Sequence, residues 1–396
     1  MTYAAAMPPV ASRFLPPGEP VAARWLLRGD QPPLENVEIR REGNRVVAIR
    51  PIKSGVAAPV AVLPALVNAH THLDLSHHRE PIPTDGGLPD WLPRVIASRS
   101  ATPEQSIAVG LDVCKRSGVG LVADVQSSQS GAAAADRPTR RDQVERLPFL
   151  EVLGVDSARW PPLLARCETA AQNGCGLSPH APYSVPLELL QRVVETAREA
   201  PVMMHLAEHP AERTLLDHGT GPFASMLDRL GVDASPMLGR YTHADLFEVL
   251  LRARRPLVVH GNHLTRGEID RLAGHRNASV VWCPQTHRAF RQPRHPVREL
   301  LDAGVRVVIG TDSLASSASL DPLADLRIVL QSRPDITLSE ALAMITSSAA
   351  DALGRPDAGR LAIGSDWPAI AVPLAAPDET EWPFALFGKS LGCEPQ

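Results

Sequence analysis

Eight short apolar runs recur along the chain, at residues 62–68, 119–125, 149–155, 176–178, 202–206, 257–259, 279–282 and 305–309. They are continuous rather than alternating, the pattern of strands covered on both faces. Amphipathic stretches, such as 186–200 and 267–273, separate most of them. Strand and helix signals that alternate in this way predict an α/β fold with a parallel sheet, and eight such units fit a (β/α)8 barrel. A doubly wound open sheet is the structural alternative that periodicity alone leaves open.

The termini read differently. Strand-like stretches occur at 23–27, 37–40 and, after the Glu42-Gly43-Asn44 turn, 45–50. Residues 361–373 read as a further strand pair, with Gly364-Ser365-Asp366 as its turn. These terminal pieces are expected to pair into one small β-domain. The expected division is 1–62 for its N-terminal part, 63–355 for the barrel, and 356–396 for its C-terminal part and tail. Residues 127–139, rich in Ser, Ala and Gly, read as a mobile loop.

Composition removes several function classes. A net charge of −4 gives no basic surface for nucleic acid. Apolar runs such as 61–67 are far too short to span a bilayer. Residues 1–20 lack the basic start and long apolar run of a signal peptide, so a cytoplasmic protein is expected. The five cysteines are odd in number and contain no CxxC pair, which argues against a disulfide framework and against a cysteine zinc site.

The polar residues of interest fall at the ends of the apolar runs, where a barrel of this type places its catalytic groups. The first run leads into Asn68-Ala69-His70-Thr71-His72. Residues i and i+2 of a strand point the same way, so His70 and His72 can bind one ion. The fifth run leads into His205-Leu206-Ala207-Glu208, the sixth into His260-Gly261-Asn262-His263, and the eighth into Gly310-Thr311-Asp312-Ser313. His180 follows the fourth. Imidazole and carboxylate donors suit zinc or ferrous iron. Each motif alone has a bland explanation: a surface pair, a hydrogen-bonded core histidine, a helix N-cap. Their recurrence at successive strand ends favours a metal site.

Taken together, LVNAHTHLDLS, SPHAPYS, HLAEH, VVHGNHL, VVWCPQTH and VVIGTDSLAS resemble the amidohydrolase superfamily. More narrowly they resemble its cytosine deaminase-like branch, with chlorohydrolase and aminohydrolase members, over about residues 21–372. The resemblance implies His70, His72, His205 and Asp312 as ligands of one divalent ion, zinc with iron as the alternative. It also implies that the terminal pieces form a small composite β-sandwich. Binuclear relatives bridge two ions with a carboxylated lysine near the fourth strand. The only lysines here are Lys53, Lys115 and Lys389, which favours a single ion.

The implied catalytic roles are Asp312 as base, His260 as hydrogen-bond donor to the reacting centre, and Glu208 as proton shuttle. His263 stands behind them. The implied reaction is loss of ammonia from an amino-substituted heterocycle or nucleoside derivative. Loops of this kind resemble those of aminodeoxyfutalosine and adenosine-derivative deaminases. Substrate-binding groups are expected in Trp91 and Arg94 of loop 76–99, in His180, and in His287 and Arg288. Thr286-His287-Arg288 departs from the Ser-Asn of many relatives. A chlorohydrolase, an amide or amidine hydrolase, and a non-catalytic assembly barrel are the alternatives. The expected partner is a small heterocyclic substrate, with neither nucleic acid nor membrane; a homodimer is left open.

Overall fold

The structure is a computed structural model that describes residues 13–387 apart from 17, 44, 54–56, 101, 128–143, 377, 379 and 381. All but Ser127 of the expected loop 127–139 lies outside the described residues, as do residues 1–12 of the N-terminal segment. In chain order the strands are β1 (Val21–Leu26), β2 (Leu34–Glu42), β3 (Arg45–Pro51), β4 (Ala58–Pro64), β5 (Leu66–Thr71), β6 (Val119–Gln126) and β7 (Glu145–Val152). They continue with β8 (Gly176–Pro179), β9 (Val202–Leu206), β10 (Pro256–His260), β11 (Ser279–Trp282), β12 (Arg306–Ile309) and β13 (Ala369–Pro373).

Strands β5 to β12 form one eight-stranded sheet in sequential order, every pairing parallel. A bridge between Thr71 and Asp312 joins its two edges. Asn68 staples that seam: its Nδ2 donates to Thr311 Oγ1 (2.7 Å), and its Oδ1 accepts from Thr311 N–H (3.1 Å). The approach is close enough that a Cβ on Gly310 would lie 2.7 Å from His70 Cβ. The expected (β/α)8 barrel is therefore present.

Strand alternation sets what faces inward. Leu147 and Phe149 of β7 join Leu121, Ala123, Met203, Val259 and Val308 in the barrel interior, whereas Leu150 and Val152 pack into the outer helical layer. Room for Phe149 comes from Gly176, where a Cβ would lie 2.2 Å from its ring. Helix Ser347–Ala352 closes the N-terminal end, its Ala349, Ala350 and Ala352 packing into the same interior cluster.

The second sheet runs β13-β4-β1-β2-β3, so the C-terminal strand β13 completes a sheet begun by the N-terminus, composite as expected. Three local expectations need correction. The apolar run 62–68 spans two sheets: residues 62–64 pair with β1 and β13, and after Ala65 the chain enters β5. The third barrel strand runs Glu145–Val152, not 149–155: its charged start, with Glu145 paired to Arg355 (2.8 Å), interrupts the apolar run from which the strand was read. Of the pair expected at 361–373 only β13 is a strand. The hydrogen bonds of Gly364 and Ser365 go instead to Val46 in β3 (2.8 and 2.9 Å).

Candidate active site

At the C-terminal ends of the barrel strands, β5, β9 and the turn after β12 bring His70, His72, His205 and Asp312 together. The Nε2 atoms of His70 and His72 lie 3.3 and 3.4 Å from that of His205. Asp312 Oδ1 lies 3.8 and 3.9 Å from Nε2 of His70 and His72. Hydrogen bonds on the far side of two rings assign their protons. His205 Nδ1–H donates to the His180 carbonyl (2.9 Å) and His70 Nδ1–H to Met203 Sδ (3.3 Å). Their Nε2 lone pairs then face each other with no proton between them.

A shared cation would resolve that repulsion. Donors about 2.1 Å from a tetrahedral centre stand about 3.4 Å apart, the spacing of these nitrogens. Burial, then the neighbouring imidazoles, holds the pKa of His70 and His72 well below the ordinary value. Burial and His180 lower His205 to about 4. All three are thus neutral donors near neutral pH. His70, His205 and His260 form a second overlapping group, with atoms within 4.8 Å of one another.

The carboxylate of Asp312 is divided between two tasks. Its Oδ2 accepts from Ser316 Oγ (2.8 Å) and Thr286 Oγ1 (3.1 Å), which leaves Oδ1 toward the histidines. Burial raises its pKa to about 6 against the pull of those two bonds. Thr286 stood out in the sequence only as part of a departure from relatives, not as a partner of Asp312, and Ser316 did not stand out; its only signal is its place four residues beyond Asp312.

Glu208 and His260 face each other, Oε1 to Nε2 at 3.4 Å, both nearly buried. Burial, then Asp312 and Glu212, raises the Glu208 pKa well above its ordinary value, the direction that favours a carboxyl retaining its proton. Burial and nearby histidines keep His260 well below its ordinary value. His295, another residue missed from sequence, donates from Nε2 to the His260 carbonyl (2.9 Å). His260, Asp312 and Ala207 all have positive φ, at 67°, 58° and 55°. Non-glycine residues adopt such backbone only where surrounding contacts hold them, and that strain gathers at this site.

The expected substrate groups divide. The His180 ring lies 5.2 Å from that of His205, with Nδ1 against Ser184 Oγ (2.7 Å). His287 Nδ1 meets Asn262 Oδ1 (3.0 Å), and Asn262 Nδ2 donates to the Glu208 carbonyl (3.2 Å). His263 Nε2 donates to Gln292 Oε1 (3.0 Å). Trp91 is buried on helix Leu88–Ser98 with its ring edge-on to Phe290. Arg94 donates to the Pro83 carbonyl (3.1 Å), and Arg288 is exposed. Glu151, unremarked in the sequence, shares the inward parity of Phe149 on β7. It is 2% exposed, with Arg99 Nη2 3.8 Å from its Oε2.

Residues 61–388 match the Amidohydrolase family. The chain belongs to that family. This amidohydrolase is 27% identical over 303 residues to an aminodeoxyfutalosine deaminase of Deinococcus radiodurans, with 70% of each chain covered. It is 30% identical over 317 residues to a 5-methylthioadenosine/S-adenosylhomocysteine deaminase of Pyrococcus furiosus, covering 74% of this chain and 70% of that one. Its fold is shared with the crystal structure of Helicobacter pylori aminofutalosine deaminase in complex with methylthio-coformycin. The TM-score is 0.77 at 21% identity, covering 94% of this chain and 97% of that one. The chain is accordingly a hydrolase of C–N bonds with a histidine and aspartate group able to hold metal. Among the described residues no helix is long and apolar enough to cross a membrane.

Proposed function

We propose that the protein is a mononuclear metal-dependent deaminase that releases ammonia from the amino-substituted ring of a nucleoside derivative. An adenosine type, whether 5′-methylthioadenosine or an aminodeoxyfutalosine, is the narrow reading, taken from the named relatives. The observation that carries it is the pairing of Glu208 with His260 beside the ligand group. Hydrolysis of an amide or phosphoester needs no second buried acid there, whereas deamination must protonate both a ring nitrogen and the departing amine.

His70, His72, His205 and Asp312 would hold the ion, zinc with iron as the alternative. When bound, it supplies Lewis acidity, which makes water nucleophilic at neutral pH. Asp312, anchored through Oδ2, accepts a proton on Oδ1 from the attacking water. Glu208 delivers its proton to the ring nitrogen, recovers one from the new hydroxyl as the carbonyl forms and hands it to the leaving amine as the C–N bond breaks; the proton held by Asp312 then restores Glu208. His260 donates Nε2–H toward the attacked carbon's new oxygen, and His295 fixes its backbone. His180 and His287 border this space and are assigned to substrate contact. Trp91, Arg94 and Arg288 stay proposals with weaker geometric support. No disulfide forms among the described cysteines, in keeping with a cytoplasmic enzyme.

Two measurements test this. Ammonia release from a panel of aminopurine nucleosides, pterins and triazines identifies the substrate class. Turnover of a chlorinated triazine, with no nucleoside accepted, would move the chlorohydrolase reading ahead. Elemental analysis should find about one divalent ion per chain. His260→Ala should retain it; loss of metal there would place His260 among the ligands.

A further inference from the structure

We propose that Glu212 is a positioning residue. It holds the turn of Ala207, Glu208 and His209 so that the Glu208 carboxyl stays against His260, and a buried relay through His243 and Glu268 to Arg213 braces it. This inference rests on the deaminase reading above, because it assigns Glu212 a task only through Glu208.

The backbone of the turn is held from both sides. Glu212 Oε2 accepts the Ala207 N–H (2.8 Å), and Oε1 accepts those of Glu208 (2.9 Å) and His209 (3.0 Å). The turn's carbonyls are also occupied: that of Ala207 by His263 N–H (2.8 Å) and that of Glu208 by Asn262 Nδ2. Ala207 has φ 55°, a conformation that is strained for a non-glycine residue and persists only when over-determined. One carboxylate with three backbone donors supplies that determination at the residue whose side chain must stay aimed.

Behind Glu212 the charges alternate. His243 Nε2 stands 3.3 Å from Glu212 Oε2, and its Nδ1 stands 3.0 Å from Glu268 Oε1. Arg213 Nη2 donates to both Glu268 oxygens (3.0 and 2.8 Å) and reaches the His263 carbonyl (3.4 Å). Glu212 and His243 are 1% and 2% exposed. The relay begins at the loop after β9, which carries Glu208, and ends at the loop after β10, which follows His260. The two catalytic loops are thus tied to one charge network rather than held separately.

The test is a double-mutant cycle on the metal-loaded enzyme: wild type, E208Q, E212Q and E208Q/E212Q. Each is assayed for ammonia release from 5′-methylthioadenosine, with KM, metal content and melting temperature recorded. The amide of E212Q sets a donor against a backbone N–H. A displaced catalytic group costs up to about 10²-fold, so kcat should fall about 10- to 100-fold with KM and metal content unchanged. The decisive expectation is that the double variant is no slower than E208Q alone, because Glu212 acts through Glu208. Multiplication of the two losses, or loss of metal in E212Q, overturns the proposal. If E212Q does not fold, H243N, which removes the brace behind Glu212, takes its place in the same cycle. A wild type that deaminates no nucleoside overturns the deaminase reading and this inference together; a multiplicative cycle in an active enzyme overturns only this one.

Discussion

At the base of the barrel, Ala349, Ala350, Ala352 and Leu353 close the interior with apolar side chains, and Trp367 donates from Nε1 to the Ala65 carbonyl (2.8 Å). At the mouth, the same strands end in buried His70, His205, Glu208, His260 and Asp312. Among the described residues, three of the six non-glycine positive-φ residues cluster there. The base closes the interior with apolar side chains and gives the Trp367 indole an acceptor. The other end holds imidazole nitrogens against one another and sets the Glu208 carboxyl in a buried site beside His260. The comparison teaches that the base stabilises the fold, whereas the mouth is built for chemistry at some cost in stability.

If the mouth carries chemistry alone, substitutions there should cost activity far more than folding. His70→Ala should lose most of the metal and lower kcat/KM about 10³-fold or more, since several kcal/mol of charge stabilisation depart with the ion; a variant with full metal content would break the assignment. Glu208→Gln should keep its metal and lose about 10²–10⁴-fold in kcat. Near-full activity would point to a reaction that needs no proton shuttle. Ser316→Ala removes one of the two donors that orient Asp312, and kcat should drop about 10-fold, in the range for groups that support a ligand.

The base should behave in the opposite way. Trp367→Phe removes a hydrogen bond and should destabilise by about 1–2 kcal/mol in chemical denaturation, with kcat per folded molecule unchanged. A change in kcat would mean that the two ends are coupled. Stability should also sense pH on the mouth side. Burial pulls the His243 pKa down, but Glu212 and Glu268 overcome it and leave it raised above 6.5, with Arg213 opposing them. A raised pKa means that the stabilisation is complete below 6.5 and is lost as pH rises through the folded value. Melting curves of wild type and H243N should therefore differ most at mildly acidic pH and converge in alkali. A gap that widens with pH would have the sign wrong.

Much of the fold was legible because barrel strands are buried on both faces and leave continuous apolar runs. Where charge entered a strand, as at Glu145, the run began late. Where two strands followed one another with only Ala65 between them, as at β4 and β5, they read as one. The gathering of His70, His72, His205 and Asp312 was legible because these residues follow the strands in a regular order. Glu212, His295 and Ser316 were not, because their roles depend on which loops pack together across the mouth. A glutamate in a helix, a histidine in a Pro-rich turn and a serine among serines carry no local signal of such contacts. Trp91, Arg94 and Arg288 show the reverse: residue types suited to substrate recognition sat in the right loop, yet Trp91 is packed on Phe290 and Arg288 is exposed.

The seam stapled by Asn68 and Thr311 also fixes the order in which the site can be made. His70 and His72 lie on one lip of the seam and Asp312 on the other, near opposite ends of the barrel's chain. A nascent polypeptide that has displayed His70 and His72 still lacks Asp312 until nearly the whole barrel has been synthesised. Ion capture at the proposed site would therefore be a late event in the life of each molecule. Held across that seam, the ion would act as the clasp on a ring already threaded.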